Sequence, residues 1–196
     1  MNTKRRLLDC ALEELENTGV EAFSLRAVSA AAGITPMAVY RHFSNKQQLL
    51  EAVGREAFAA WERRAKSIRA AEPMDWLRQA GRLYLTFALD EPARFDACFV
   101  LRTGVERRYP RDFHEGRSPA VSLAMARVES AQNAGVLAAG DPLEIAMAFW
   151  SQLHGLAMLQ RTGRMAMSRT AFLGLGARNV DYVLAGFRTR SAGGAA

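Results

Sequence analysis

Apolar residues recur along this chain at intervals of three and four, and period-two alternation of β-branched residues is absent. Such spacing lines one face of a helix, so the pattern predicts helices throughout. Leu7, Leu8, Leu12 and Leu15 make the first apolar stripe, closed by Asn17-Thr18-Gly19. Ser24 is the expected N-cap of a short second helix, Leu25 to Ala32, ended by Gly33. Thr35-Pro36 places a cap before a proline at the first helical position, which starts a third helix. Ser44-Asn45-Lys46-Gln47 has capping-box spacing, and a fourth helix is expected from Asn45 toward Ala71.

Glu72-Pro73 breaks the pattern. Helices are expected over Met74 to Leu89 and on to Leu101, divided at Asp90-Glu91-Pro92. Residues 102–117, polar and rich in Arg with Gly104, Pro110 and Gly116, read as a loop. Ser118-Pro119 and Asp141-Pro142 repeat the cap-and-proline signal for helices ending near Gly135 and Arg161. Ser168 opens a last helix toward Thr189. The result is an all-α chain of about nine helices. Short helices precede Lys46 and long ones follow it. The expected organisation is a three-helix head, residues 1–46, and a larger helical body, residues 47–196, with the fourth helix bridging them.

With 196 residues, 49% hydrophobic and 23% charged, the chain can bury a substantial core, and only the closing Ser191 to Ala196 reads as a tail. Asp9, Glu13, Glu14 and Glu16 interrupt any leader-like apolar run. No segment reaches the roughly 18 uncharged apolar residues of a membrane span. A cytoplasmic protein without a membrane partner is expected. Cys10 and Cys98 sit among apolar neighbours as free thiols, and three His without ligand spacing predict no metal and no cofactor. The net charge of +6 permits an anionic partner such as DNA without requiring one. Residues 1–46 hold six Lys/Arg against five acids, so bulk charge does not select DNA.

Two short helices joined by a Gly-containing turn make a helix-turn-helix, here Leu25–Ala32 with Thr35–Phe43. Ala27, Val28, Ala31, Ile34 and Val39 supply the small apolar contacts between them. Thr35, Met37, Ala38, Arg41 and His42 remain on the outer side of the second helix, whose start can enter a major groove. Tyr40, His42 and Lys46 add donors suited to phosphate.

The stretch from Phe23 to Leu50 resembles the N-terminal DNA-binding domain of the TetR family of bacterial transcriptional regulators. The likeness rests on Gly33-Ile34, on Val39-Tyr40-Arg41-His42-Phe43, and on Lys46 followed by Leu49-Leu50. The resemblance implies a base-reading role for Arg26, a groove-facing role for Thr35, Met37 and Ala38, and phosphate contacts for Tyr40, His42 and Lys46. Lys4, Arg5 and Arg6 resemble the basic arm that leads into the first helix. Because Pro36-Met37-Ala38 offers little hydrogen bonding, readout leans on Arg26, Arg41, methyl contacts and DNA shape.

Phe149-Trp150-Ser151-Gln152-Leu153-His154-Gly155-Leu156 resembles the C-terminal domain of a TetR subgroup named for its Trp-His-Gly signature. That resemblance implies a body that binds a small effector and pairs its last two long helices with those of a twin subunit. Ala146, Phe149, Leu153, Leu156, Ala157, Phe172, Leu175, Val180 and Val183 are the expected seam. Gly155, Gly174 and Gly176 would permit its close contacts. Trp76, Tyr84, Phe87, Phe95, Phe99, Met125, Trp150, His154 and Met158 are core residues or, collectively, the lining of an apolar effector pocket. The function implied is a repressor that binds a palindromic operator in double-stranded DNA as a homodimer and is released by a small, mostly apolar effector. Two other classes are weighed: a helical interaction module that has lost DNA binding, and an enzyme. Cys98 with His154 and His114 with Glu115 match no catalytic motif, so no enzyme is expected.

Overall fold

The computed structural model describes residues 3–189; the tail expected at Ser191 to Ala196 lies outside them. Among the described residues there are ten helices and no strand, and one isolated bridge joins Leu137 to Arg188. In order they are α1 (Thr3–Ala22), α2 (Leu25–Ala31), α3 (Pro36–Tyr40), α4 (Lys46–Lys66) and α5 (Pro73–Asp90). Then come α6 (Pro92–Phe99), α7 (Arg111–His114), α8 (Pro119–Asn133), α9 (Pro142–Arg161) and α10 (Arg169–Gly186). The fold class read from the sequence is the one found.

Most start signals act as read. Ser24 accepts from the Ala27 N–H, Thr35 from Ala38, Asp141 from Leu143 and Ser168 from Ala171. The fourth helix caps one residue later than expected. Asn45 Oδ1 accepts from the Gln48 N–H at 2.9 Å, and the Gln48 side chain takes the Ser44 N–H at 3.0 Å. Gln47 instead reaches the Thr103 carbonyl at 3.2 Å. α4 also stops at Lys66, short of Ala71, because Ser67 and Arg69 take up its final carbonyls: Ser67 Oγ donates to Arg64 O and Arg69 to Lys66 O.

The chain forms two compact units. One comprises the chain up to Trp61 with Glu91–Glu106, so it holds α1, α2, α3, most of α4, and α6. Leu7, Ala11 and Leu15 of α1, Val28 of α2, Val39 of α3, and Leu49, Leu50 and Val53 of α4 are among its buried residues. Phe95 and Phe99 of α6 pack with each other, and Phe99 meets Phe58 and Trp61 of α4 edge to face.

The other unit comprises Glu62–Asp90 and the chain from Arg107 onward. Here α5 packs against α8, α9 and α10, and α9 against α8 and α10. Phe172, Gly176, Val180 and Leu184 form one buried stripe at intervals of four along α10. Glycines let these helices approach: a Cβ on Gly81 would lie 2.7 Å from Val180 Cγ2, and one on Gly176 would lie 2.2 Å from Leu85 Cδ1.

Most of the expected seam is already covered inside one copy, while Leu175 and Val183 are half-buried. Ala146, Phe149, Leu153, Leu156, Ala157, Phe172 and Val180 are all buried within a single copy. An apolar stripe announces burial but not which partner buries it, and here α5 of the same chain takes that place. Gly176 serves the same intrachain contact, whereas a Cβ on Gly155 would meet nothing within 4 Å.

Residues 102–117 are not wholly irregular, since they contain α7. Its organiser is Asp112, only 5% exposed. Asp112 Oδ2 accepts from the Arg108 N–H at 2.7 Å, and Oδ1 faces Arg111 and Arg117. The Arg108 N–H, and then the Arg111 side chain, hold this carboxyl below its ordinary value.

Candidate nucleic-acid interface

Local chemistry fixes the helix pair. After α2 the chain turns through Gly33 at φ 62°, a left-handed conformation that favours glycine. The Ile34 N–H donates to Ser29 O and the Gly33 N–H to Ala30 O, which closes the helix end as a Schellman motif. Thr35 then caps α3 and Pro36 supplies its first residue. Val39 (0% exposed) and Phe43 (4%) point into the core, so the opposite face of α3 is turned outward.

That outward face carries most of the residues singled out from the sequence. Thr35, Met37, Tyr40, Arg41 and His42 are exposed, as is Arg26 on α2, while Ala38 is half-buried. Arg6 is exposed on the first turn of α1. The Thr35 hydroxyl accepts the Ala38 N–H, which leaves its own proton available to an outside acceptor.

Lys46 is engaged by its own chain. Its ammonium donates to Val20 O at 2.8 Å and to Glu21 O at 3.3 Å, and it lies over the Phe23 ring at 5.7 Å. The helical run of α1 breaks at Gly19 (φ 72°, ψ 176°), and a cation satisfies the carbonyls just beyond that break. Lys46 therefore ties α1 to the start of α4, with two of its three N–H donors committed to those carbonyls. Arg5 is also engaged, with Asp9 at 3.1 Å and with Glu56, and Lys4 stands 5.9 Å from the Phe43 ring centroid. The basic arm is thus partly spent on the head's own stability. Sequence spacing shows that a cation is present, not which acceptor the fold brings to it.

The aromatic set divides. Phe95 and Phe99 belong to the first unit with Phe58 and Trp61, two rings that the sequence reading did not single out. Trp76, Tyr84 and Phe87 are 3%, 2% and 2% exposed in the second unit, with the Arg127 and Arg64 guanidinium groups over Trp76 and Phe87. These two rings are core, closed by cations of their own chain. Trp150, His154 and Met158 form a half-buried stripe at intervals of four on α9, and Met125 of α8 is half-buried too. The Tyr84 hydroxyl lies 2.8 Å from His154 Nδ1, and Phe113 of α7 packs against Trp150.

Burial holds His154 below the ordinary imidazole value of 6.5, because the charged form is penalised. The unfolded chain then takes up a proton before the folded one does. Stability associated with His154 is complete above pH 6.5 and is lost as the pH falls from there through the lower folded value. His154→Gln is expected to flatten that part of the profile in urea unfolding measured between pH 5 and 8. An unchanged slope in the variant would contradict this assignment. Among the described residues no group of three His, Cys, Asp or Glu is placed to hold a metal ion, and no helix is long and apolar enough to cross a membrane.

A sequence profile described as "Bacterial regulatory proteins, tetR family" matches residues 7–53. A second, described as "Tetracyclin repressor-like, C-terminal domain", matches residues 77–173. The chain belongs to the TetR family of bacterial regulators. Members of this family are transcriptional regulators with a DNA-binding N-terminal domain. The C-terminal match names the Tetracyclin repressor-like domain, not the Trp-His-Gly subgroup.

Over 51 residues the chain is 41% identical to the HTH-type transcriptional regulator SrpR of Pseudomonas putida, a stretch covering 26% of this chain and 24% of SrpR. The chain thus spans about a quarter of that relative's length. A Rhodococcus sp. RHA1 protein of unknown function superposes with a TM-score of 0.79 at 22% identity, covering 96% of this chain and 97% of that one. AibR in complex with isovaleryl coenzyme A and operator DNA superposes with a TM-score of 0.67 at 18% identity, covering 95% and 98%. At these identities the structures show the shared fold.

Proposed function

We propose that this TetR-family chain is a repressor that binds a palindromic operator as a homodimer and is released by a small, mostly apolar effector. The observation that carries the DNA-binding part is the outward face of α3. Thr35, Met37, Tyr40, Arg41 and His42 are all exposed there while Val39 and Phe43 anchor the helix from behind. Arg26 and Arg41 are read as base contacts, with Ala38 at the groove-facing start. Tyr40, His42 and Arg6 are read as phosphate contacts. The working division remains a DNA-binding head, residues 1–46, and an effector-binding and dimerising body, residues 47–196.

For the dimer contact we favour the outward sides of α9 and α10. Gly155 is open there, Leu159 is 44% exposed and Tyr182 is 71% exposed. Two heads would then meet half-sites about one DNA turn apart, roughly 34–36 Å. For the effector we favour the Trp150–His154–Met158 stripe, with Tyr84 and His154 as its polar element. The Trp150, His154 and Gly155 spacing supports the Trp-His-Gly reading of that stripe. AibR, of the same fold, forms a complex with isovaleryl coenzyme A and operator DNA, which supports a small-molecule ligand for the body. Release follows only from an effector with unequal affinity for the two states of the body.

Electrophoretic shift of palindromic duplexes by the full-length protein tests the reading, with analytical ultracentrifugation for the dimer. Arg41→Ala is expected to weaken DNA binding by about 1–3 kcal/mol and to relax specificity at the base it contacts. Tyr40→Phe should weaken all sequences alike. Absence of any salt-dependent complex would instead favour an interaction module that has lost DNA binding.

A further inference from the structure

The first turn of α3 presents unusually little hydrogen-bonding capacity. Pro36 has no N–H, the Ala38 N–H is taken by Thr35, and Ala38 has no polar side chain. At its centre Met37 is 72% exposed, the most of any large apolar side chain among the described residues. A helix advances about 100° per residue, so Met37 points roughly 160° away from Val39, the residue that seats α3 in the core. Tyr40 and Arg41, three and four residues on, share its face and flank it. An apolar side chain so placed gains nothing from water. The major-groove edges of the bases present one apolar group, the 5-methyl of thymine.

Building on the DNA-binding reading above, we propose that Met37 is a specificity-determining residue that recognises the 5-methyl group of one thymine in each half-site. Tyr40 holds the helix against the phosphate strand, Arg41 reads a neighbouring base, and the Met37 thioether arm buries the methyl between them. A methionine suits this task because its unbranched side chain adapts to the groove. The inference deepens the proposed function by naming the base and the atom it is read by.

The test enriches random-sequence duplexes on the full-length protein. Thymines of the selected site are then replaced one at a time by deoxyuridine, which removes only the methyl. At one thymine per half-site the replacement should weaken the unsubstituted protein about fourfold, the cost of one methyl left in water. Met37→Ala should bind more weakly and be indifferent to that methyl, with an unchanged melting temperature because the side chain is exposed. Met37→Leu should keep the sensitivity. A selected site at which no thymine methyl matters, or a Met37→Ala protein that keeps the full response, overturns the assignment and leaves DNA binding standing. Failure to enrich any duplex overturns both.

Discussion

Replacing Phe172 by alanine is expected to destabilise the protein by about 3–5 kcal/mol, the range for deleting a fully buried aromatic side chain. Phe172 is 0% exposed and opens the buried stripe of α10 that continues through Gly176, Val180 and Leu184. One turn further on, a Cβ at Gly176 would lie 2.2 Å from Leu85 of α5 and 3.8 Å from Leu156 of α9, so α10 is held close to both. Helices so tightly apposed cannot easily collapse into the space a phenyl ring leaves, and the cavity cost adds to the lost transfer energy. Against a typical total of about 5–15 kcal/mol the loss is large. Urea unfolding followed by circular dichroism reads it, with Phe172→Leu as the milder comparison. A Phe172→Ala protein within about 1 kcal/mol of the parent would mean that this stripe is not the body's packing seam.

The second large effect is expected at Gly54, inside α4. A Cβ there would lie 2.4 Å from Thr103 Oγ1, 2.7 Å from Val105 Cγ2 and 2.9 Å from Thr103 Cβ. Thr103 is 0% exposed, so it has no open side to retreat into. Gln47 holds the same segment about two turns earlier on α4 through the Thr103 carbonyl. Gly54→Val should therefore cost about 1–3 kcal/mol from overpacking, less a few tenths regained from helix propensity. Because α4 also carries Lys46, which ties down the end of α1, DNA affinity at elevated temperature should fall along with stability. Gly54→Ala should lie between the parent and Gly54→Val in both measurements. If Gly54→Ala proves more stable than the parent, residues 103–105 yield freely and do not brace the helix.

These two positions differ in how far they could be read beforehand. Phe172 stood out as a buried apolar residue from its spacing, but it was assigned to a contact between copies. Gly54 gave no signal, because a glycine within a helical run looks only like a cost until the residues facing it are known. Asp112 behaves similarly: a carboxylate among five arginines of residues 102–117 reads as a solvated charge until the fold buries it against the Arg108 N–H. Lys46 shows the same limit at the DNA-binding head, since its acceptors lie 25 and 26 residues earlier in the chain.

By itself the sequence determined nine of the ten helices among the described residues, their caps at Ser24, Thr35, Asp141 and Ser168, the turn at Gly33, and the inward direction of Val39. Each depends on neighbours within about four residues, so local spacing and local hydrogen bonding decide it. The tertiary structure alone decided which cations remain available to DNA, which apolar stripe meets α5 rather than a second copy, and which aromatic rings are sealed by Arg64 and Arg127. Those outcomes depend on side chains brought together from distant parts of the chain, where the nearest acceptor or ring, not the residue's own chemistry, sets its role.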